Sequence, residues 1–369
     1  MHPPKLLTDL DQRIRNPADP VAWGRDMCRR AAYFARMGRA KAATKDIDEV
    51  KARFGHQLDT EVACWLLLAE GALHFFQERP SEAYDRFRTA YGMAVAFDLS
   101  LARPTCAAWM AHIEINENRF ESMIRFLGEA LCTADAEDHH TLGRASLVLA
   151  TAYHFSGSFE KAQPWYECTR RHATTEGDRS MLSAMFHNIA AFRVSNLRLS
   201  DAFGEEISEA VTARASLEAS SALTYDLTVR SDSYELLVPT IRGQLLTVEK
   251  RFYEAIVVFA SIDETLLPSR LRPLVSIDRA WCSLSLGLEQ EGRELALAAV
   301  QSIGSDLDAD DLAFVLARVS AMEAILKMSL IPFSRDRSLE LLAAHRHVQR
   351  ELEMQLDQFT SKLHLGRPK

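Results

Sequence analysis

Two clusters of carboxylate, histidine and cysteine side chains are the residues of this sequence best suited by type to hold a metal ion. The first contains Cys132, Asp135, Glu137, Asp138, His139 and His140. These residues fall in a polar link between two helical segments, and crowding of ligand types in a link does not supply a coordination geometry. A solvated loop is the favoured interpretation, and we expect no metal there.

The second cluster consists of Asp306, Asp308, Asp310 and Asp311, whose alternation resembles a calcium loop. Its sixth position is Asp311 where such a loop has glycine, and its twelfth is Ala317 where the loop has glutamate. The aspartates precede the apolar run from Leu312 to Leu326, where carboxylates satisfy free N–H groups and favour the helix dipole. Helix capping is therefore the preferred interpretation.

Sequence motifs for the common catalytic and nucleotide-binding sites are absent. The chain has no GxxxxGK, no GxGxxG after a strand, no GxSxG and no HExxH. We therefore expect no enzyme activity and no cofactor. An enzyme or nuclease that uses the acidic and histidine residues of the links is the alternative from another functional class.

Three arginines share one face of the first predicted helix. Arg25, Arg29 and Arg36 are separated by four and seven residues, which returns each to the same side of a helix. A solvated basic face is the commoner explanation. The alternative is a docking surface for an acidic peptide or a phosphate-bearing ligand, to which arginine supplies bidentate contacts.

Other candidate binding residues fall near the inner surface of the predicted helical array. Histidine and amide side chains there can hydrogen-bond an extended peptide, although a lone histidine is more often structural. Trp109 is either a core residue or an anchor for a partner. The candidates are Trp109, His112, Asn116, Arg144, His154, His187, Asn188 and Gln244.

An internal period of about forty residues organises the elements that carry these side chains. Equivalent positions recur at spacings of 40, 40, 39, 40, 53 and 41, and all but one are alanine: Ala43, Ala83, Met123, Ala162, Ala202, Ala255 and Ala296. Twelve residues before each lies a position in a preceding helix, which is Ala or Gly at Ala31, Gly71, Ala111, Ala150, Ala190 and Gly243 but large at Leu284. Small residues let paired helices approach closely. We therefore predict that Ala150→Leu overpacks this seam and lowers the free energy of unfolding by about 1–3 kcal/mol.

The clearest unit resembles the tetratricopeptide repeat family. Leu149, Ala150, Tyr153, Ala162 and Tyr166 match that family's Leu, small, aromatic, Ala and aromatic positions, whereas Ser146 replaces its first large apolar residue. The other units match less well. A period near forty is similar to the longer-helix repeats of bacterial regulators of the maltose-activator type and of bacterial signalling proteins.

This resemblance implies an all-α, right-handed superhelical solenoid of antiparallel helix pairs. We predict an N-terminal segment (1–20), about seven repeats, and C-terminal capping helices (307–369). The predicted repeats are 21–57, 58–98, 99–138, 139–177, 178–233, 234–268 and 269–306. The thirteen extra residues between Ala202 and Ala255, around 216–233, form either a longer helix or a surface excursion.

A long C-terminal helix is predicted from Ser338 to Leu363. Leu339, Leu341 and Leu342 are expected to cover the last repeat. The stripe of Val348, Leu352, Leu356 and Phe359 then suits self-association or docking of an output protein, with packing on the chain's own last repeat as the alternative.

Composition argues against a membrane-spanning protein and against a general nucleic-acid coat, although a local basic surface is compatible with it. The 369 residues carry a formal charge of −8, and no stretch reaches the about 18–20 uncharged residues that span a bilayer. The six cysteines form no CxxC pair and are expected to be reduced core thiols in a cytoplasmic protein. We expect a non-catalytic protein- or peptide-binding module of bacterial regulation or signalling. The alternatives are a scaffold subunit and a sensory protein whose output domain is on another chain.

Overall fold

The computed structural model describes residues 4–55, 57–304 and 307–366, with side chains to residue 363. Within these ranges the chain is all-α, with seventeen α-helices, one short 3-10 turn and no strand. None of the described helices is both long enough and apolar enough to cross a membrane. Successive helices pack as neighbouring pairs, which is the arrangement of a helical solenoid.

The helices, in chain order, are α1 (Lys5–Arg15), α2 (Pro20–Arg36), α3 (Ala40–Phe54), α4 (Thr60–Phe75), α5 (Pro80–Ala96), α6 (Arg103–Asn116), α7 (Phe120–Thr133), α8 (His139–Phe155), α9 (Phe159–Glu176), α10 (Arg179–Ala202), α11 (Glu209–Val229), α12 (Leu237–Val248), α13 (Phe252–Ala260), α14 (Leu271–Ser285), α15 (Glu289–Gln301), α16 (Ala309–Leu326) and α17 (Ser334–Gly366). They form two compact units. Unit 1 comprises Met1–Met185, Asp226–Ser233 and Leu352–Lys369, and unit 2 comprises Phe186–Tyr225 and Tyr234–Glu351.

A left-handed residue marks each turn from the first to the second helix of a pair. Backbone φ is positive there at intervals of 40, 40, 39, 47, 46 and 37 residues, at Gly38, Glu78, Asn118, Gly157, Gly204, Lys250 and Gly287. Only some are glycine, so residue type alone does not reveal the series. The conformation reverses the chain within a few residues, and it ties the helix pairs to one recurring geometry.

Close helix packing depends on matched small and large side chains across each seam. A Cβ on Gly71 would lie 2.7 Å from the ring of Phe87, and one on Gly243 would lie 2.5 Å from the ring of Phe259. In the α14–α15 pair the sizes are exchanged, because a Cβ on Gly292 would lie 2.6 Å from Leu284. The large side chain of Leu284 is therefore matched by the small Gly292 of the partner helix, so this pair also packs closely.

One position of the predicted register is wrong. Ala202 was assigned to a second helix, but it is the last residue of α10, a first helix of 24 residues. Its partner helix, α11, begins only at Glu209, and the extra residues lie in long helices and in the segment Asp226–Ser233. Periodicity could not locate this boundary because α10 lengthens without a break in its apolar pattern.

Long-range contacts join the beginning of unit 1 to its later segments. The Arg36 guanidinium lies 2.6 Å from a carboxylate oxygen of Asp178. The backbone N–H of Asp232 donates to the carbonyl of Met37 at 3.1 Å, and the Ser233 hydroxyl donates to the carbonyl of Arg36 at 2.6 Å. The C-terminal end of α2 therefore packs against later segments of unit 1, and Arg36 and Asp178 are buried there.

The C-terminal helix packs differently from the sequence-based expectation. Leu342 is buried, but Leu339 is 48% exposed and does not serve as a cover. In unit 1, Leu352 and Leu356 are buried, and Phe359 lies 3.4 Å from where a Cβ on Gly128 would be. The predicted self-association is therefore wrong for Leu352 and Leu356, because the chain's own fold buries them. It stays a prediction for Phe359, which is half-buried.

Tyr153 and Lys161 hold the same C-terminal segment. The Tyr153 hydroxyl lies 3.2 Å from a carboxylate oxygen of Asp357, and the Lys161 ammonium lies 2.6 Å from the other. This segment therefore contacts the α8–α9 pair of unit 1. Val348 belongs to unit 2 and is 37% exposed.

Candidate functional site

A small, partly open cavity in unit 1 is lined by several of the predicted binding residues. It has about 20 Å³ of space open to the centre of a water molecule, which is room for about one water. Its floor comes from α2, α4, α6 and α8, through Cys28, Arg29, Ala32, Arg36, Trp65, Leu68, Ala69, Thr105, Trp109 and His140. We name these residues the first-helix wall.

A charged cluster lies at one end of the first-helix wall. Asp178 accepts hydrogen bonds from Arg36 at 2.6 Å, from the Ser180 hydroxyl at 2.6 Å and from the Met181 N–H at 3.1 Å. The Arg29 guanidinium lies 3.2 Å from Glu176. The positions of the two acids follow from the end of α9, because Gly177 is left-handed and turns the chain sharply between them.

The carboxyl groups of this cluster differ in protonation. Burial, together with the negative charge of Asp178, raises the pKa of Glu176 to about 7, against the opposing effect of Arg29. Burial also opposes ionisation of Asp178, but Arg36 and His140 outweigh it and hold its pKa well below the ordinary value. Burial lowers the pKa of His140 to about 4. The cluster therefore holds one fixed carboxylate and one that titrates near neutrality.

His140, Glu176 and Asp178 place one ligand atom each within 4.8 Å of the others, which is compatible with a metal ion by distance. The charges oppose this function, because Arg36 and Arg29 already pair with the two carboxylates. A cation would have to displace both guanidinium groups from a buried place. The arrangement therefore fits a hydrogen-bonded charge network better than a metal centre.

Only His140 of the predicted link cluster reaches this site. Asp138 caps α8 by accepting from the N–H of Thr141 at 3.1 Å, and His139 lies 3.0 Å from His172 between ring nitrogens. Cys132 is exposed and Cys168 half-buried, so the prediction that all cysteines are core thiols is wrong for these two. Asp138 of the first cluster therefore has the helix-capping role that the sequence predicted for the second cluster.

The second predicted cluster lies at the start of α16. Asp308 occupies the N-cap position without a side-chain hydrogen bond to the helix, and Asp310 and Asp311 lie in its first turn. Their negative charges interact favourably with the helix dipole there. Asp306 lies outside the described residues.

Helix α1 covers the first-helix wall. Leu6 and Leu10, four residues apart on one face, line the same cavity and are 5% and 0% exposed. Burying two such side chains contributes about 3–6 kcal/mol as an upper estimate. The sequence analysis treated 1–20 as an undifferentiated segment and missed this helix. The signal was present, since Leu6 and Leu10 are spaced as on a helix between charged residues.

Polar contacts fix both ends of α1. The Lys5 ammonium donates to the carbonyl of Thr175 at 2.8 Å, and Asp11 accepts from Arg30 at 2.8 Å. Arg13 lies 3.2 Å from Asp26. A Cβ on Gly177 would lie 2.6 Å from Cβ of Lys5, so the helix approaches the end of α9 closely.

The predicted arginine face is paired within unit 1. Arg29 and Arg36 line the cavity and bind Glu176 and Asp178, whereas Arg25 lies 3.2 Å from Glu61 at the edge. The face therefore does not present three unpaired cations to solvent. Docking of an acidic partner stays a prediction, and it would require these internal pairs to open.

Trp109 of the first-helix wall contacts two other predicted binding residues, His112 and Arg144. The Arg144 guanidinium carbon lies 3.5 Å from the centre of the Trp109 ring, and His112 lies 5.7 Å from the same ring between centroids. Burial and the charge of Arg144 lower the pKa of His112 to about 3. Trp109 is 2% exposed and stacks on Phe87 at 4.6 Å, so its main contacts are core contacts.

Two further candidates of unit 1 lie away from the cavity. His154 is buried, and its Nδ1 lies 2.9 Å from the hydroxyl of Tyr166 in the partner helix. That contact is the structural role a histidine on a first helix commonly has. Asn116 is exposed at the end of α6.

The candidates His187, Asn188 and Gln244 belong to unit 2. His187 stacks on Tyr234 at 4.2 Å between centroids, and burial lowers its pKa to about 4. Gln244 is buried in α12, and Asn188 is half-buried in α10. The predicted residues therefore fall into separate groups, some in unit 1 and some in unit 2.

Unit 2 contains a charged cluster that the sequence analysis missed. Arg198 donates to Asp278 at 2.7 Å, with side chains 4% and 0% exposed. Arg318 pairs with Asp201, and its guanidinium carbon lies 4.7 Å from the centre of the Trp281 ring. Sequence spacing gives no sign of these pairs, because the partners are 80 and 117 residues apart.

No protein-family model matches this chain, and a search of curated proteins found no relative. The comparison to helical repeat proteins therefore rests on the residues and helix packing described above.

Proposed function

We propose that this chain is a non-catalytic protein-binding module of the tetratricopeptide type and that the first-helix wall of unit 1 receives a segment of the partner. Stacked helix pairs commonly present such a wall to extended or helical ligands. In line with the resemblance of its repeats, we place the protein in cytoplasmic regulation or signalling in bacteria.

The observation that carries this proposal is the seating of α1. An amphipathic helix already lies on the wall, with two leucines inserted and a polar contact near each end. A surface that holds one helix by leucine insertion has the chemistry to hold another. Arg29, Arg36 and Trp109, chosen from the sequence as ligand contacts, line the same cavity.

Two related functions remain as alternatives. A scaffold subunit would use several faces of the chain at once, and a sensory protein would pass a binding event to an output domain on another chain. Exposed apolar side chains such as Phe97 and Leu101 of unit 1, or Tyr253 and Val257 of unit 2, would serve a scaffold. An enzyme is not part of the proposal.

Capture of partners from an extract of the source cell tests the proposed function. The full chain is compared with Arg25→Glu/Arg29→Glu on the wall side and with Arg86→Glu/Arg88→Glu on α5, which reverses the same number of charges at exposed positions. We expect one protein to be retained by the wild type and by the α5 variant and lost from the wall variant. Equal retention by all three, with unchanged circular dichroism, would contradict a wall-dependent function.

A further inference from the structure

We infer that α1 is a built-in competitor that occupies the partner's place, and that the partner is an amphipathic helix with the residue pattern of α1. This inference rests on the proposed function and specifies its ligand. It assigns two states to unit 1, one with α1 on the first-helix wall and one with the partner helix there.

The apolar contacts give the first requirement on the partner. Leu6 and Leu10 are the two buried residues of α1, and both line the cavity together with residues of α2, α4 and α6. A spacing of four returns to the same helix face, so one side of a helix supplies both anchors. A partner helix therefore needs two leucines, or side chains of similar size, four residues apart.

The polar contacts give the second requirement. A cation directly before the first leucine meets the carbonyl at the end of α9, as Lys5 does with Thr175. A carboxylate directly after the second leucine meets Arg30, as Asp11 does. A helix dipole places partial negative charge at the end of α9, which favours that cation. The pattern is a basic residue, leucine, three residues, leucine and an acidic residue.

Features of α1 make its departure feasible without unfolding of unit 1. The helix has eleven residues, shorter than isolated helices that are stable in water, and Pro4 provides no side-chain cap. It contacts the rest of the unit chiefly through α2. When Asp11 leaves, Arg30 keeps Asp46, to which it donates at 2.7 and 2.8 Å.

Competition within the chain has a measurable consequence for affinity. A partner helix binds only the fraction of molecules whose wall is free, so its apparent dissociation constant is the intrinsic one divided by that fraction. Weakening α1 raises the free fraction and tightens binding of the same partner. A residue exchange on the exposed side of α1 leaves the fraction unchanged.

A labelled peptide of residues 4–16 serves as the probe, with fluorescence anisotropy as the measurement. The full-length proteins are the wild type, Leu6→Glu/Leu10→Glu and the control Thr8→Glu/Gln12→Glu. The control introduces the same charges at the same spacing on exposed positions of α1. We expect the leucine variant to bind the peptide about tenfold or more tightly than the other two proteins. A peptide carrying Leu6→Glu/Leu10→Glu should bind none of them.

The inference is overturned if the leucine variant keeps its helical circular dichroism and binds the wild-type peptide no better than the control protein does. If wall-dependent capture from the extract persists in that case, the proposed function stands and only the competitor role of α1 is refuted. Loss of both refutes the two together. Should the glutamate variant fail to fold, Leu6→Ala/Leu10→Ala takes its place, with tighter peptide binding again expected relative to the control.

Discussion

The two units use the same electrostatic device in different surroundings. Each has a buried arginine–aspartate pair between helices far apart in sequence, Arg36–Asp178 in unit 1 and Arg198–Asp278 in unit 2. In unit 1 the pair adjoins a cavity covered by α1. In unit 2 the guanidinium of Arg198 lies 4.0 Å from the centre of the ring of Phe314, which belongs to an apolar core cluster.

This difference distinguishes the contacts that stabilise the fold from the contacts that we propose for ligand binding. A buried ion pair that occurs in both units is a feature of helix packing, and arginine on a first helix does not by itself mark a binding surface. What distinguishes unit 1 is a helix seated over a cavity, at whose edge lies the carboxyl group of Glu176. The comparison predicts that damage to the pairs affects stability, whereas damage to α1 affects binding.

Breaking the two ion pairs should have the largest effect. Asp278→Asn and Asp178→Asn each leave a buried guanidinium unpaired, and we expect each to lower the free energy of unfolding by about 3–5 kcal/mol. Thermal and urea unfolding followed by circular dichroism measures both. A loss below about 1 kcal/mol in either unit would show that its pair is not a structural device.

A smaller loss is expected from the seam in unit 1. Gly71→Ala drives a methyl group into the ring of Phe87, at a cost of about 1–3 kcal/mol, and Phe87→Leu in the same chain should recover part of it. Gly92→Ala is the matched control, because nothing lies within 4 Å of a Cβ there and helix propensity should stabilise by about 0.5–1 kcal/mol. Similar losses at positions 71 and 92 would contradict the packing described.

The fold was largely predictable from the sequence, and the site only in part. Small residues at a fixed period predicted paired helices because close packing imposes size at each crossing, as at Gly71 and Ala150. Position 202 was misassigned because helix length can change without a change of pattern. The pairing of Arg36 with Asp178, across 142 residues, has no local signature, so its burial could not be foreseen.

The pH dependence of stability tests the carboxyl group of Glu176 at the edge of the unit 1 cavity. Burial raises the pKa of Glu176 from 4.5 to about 7, so the folded chain holds this proton more tightly than the unfolded chain. The resulting stabilisation is complete below the ordinary pKa and is lost as pH rises toward and through 7. Asp178, Arg29, Arg36 and Asp138 are the charged groups that influence it.

Glu176→Gln removes that titration while keeping the side-chain shape. We expect the unfolding free energy of the wild type, minus that of the variant, to fall as pH increases from about 5 to about 8. Urea unfolding at several pH values measures the difference. A difference that is constant across this range would mean that Glu176 titrates normally in the folded chain.

The smallest effect is expected at the edge of the wall. Arg25 and Glu61 are each about a quarter exposed and lie 3.2 Å apart, so solvent screens their attraction. Arg25→Gln should change the unfolding free energy by about 0–1 kcal/mol. A loss as large as that of Asp178→Asn would erase the distinction between the edge and the buried cluster.

Hydrogen exchange of the α1 amides in the intact chain tests the central claim most directly. The chain is isotopically labelled, and exchange is recorded with and without excess unlabelled peptide of residues 4–16. The account predicts that α1 exchanges faster than α8, and that the peptide accelerates exchange in α1 while α2, α4 and α8 stay protected. Exchange of α1 at the rate of α8, unchanged by the peptide, would show that α1 is a fixed part of the core and contradict the account.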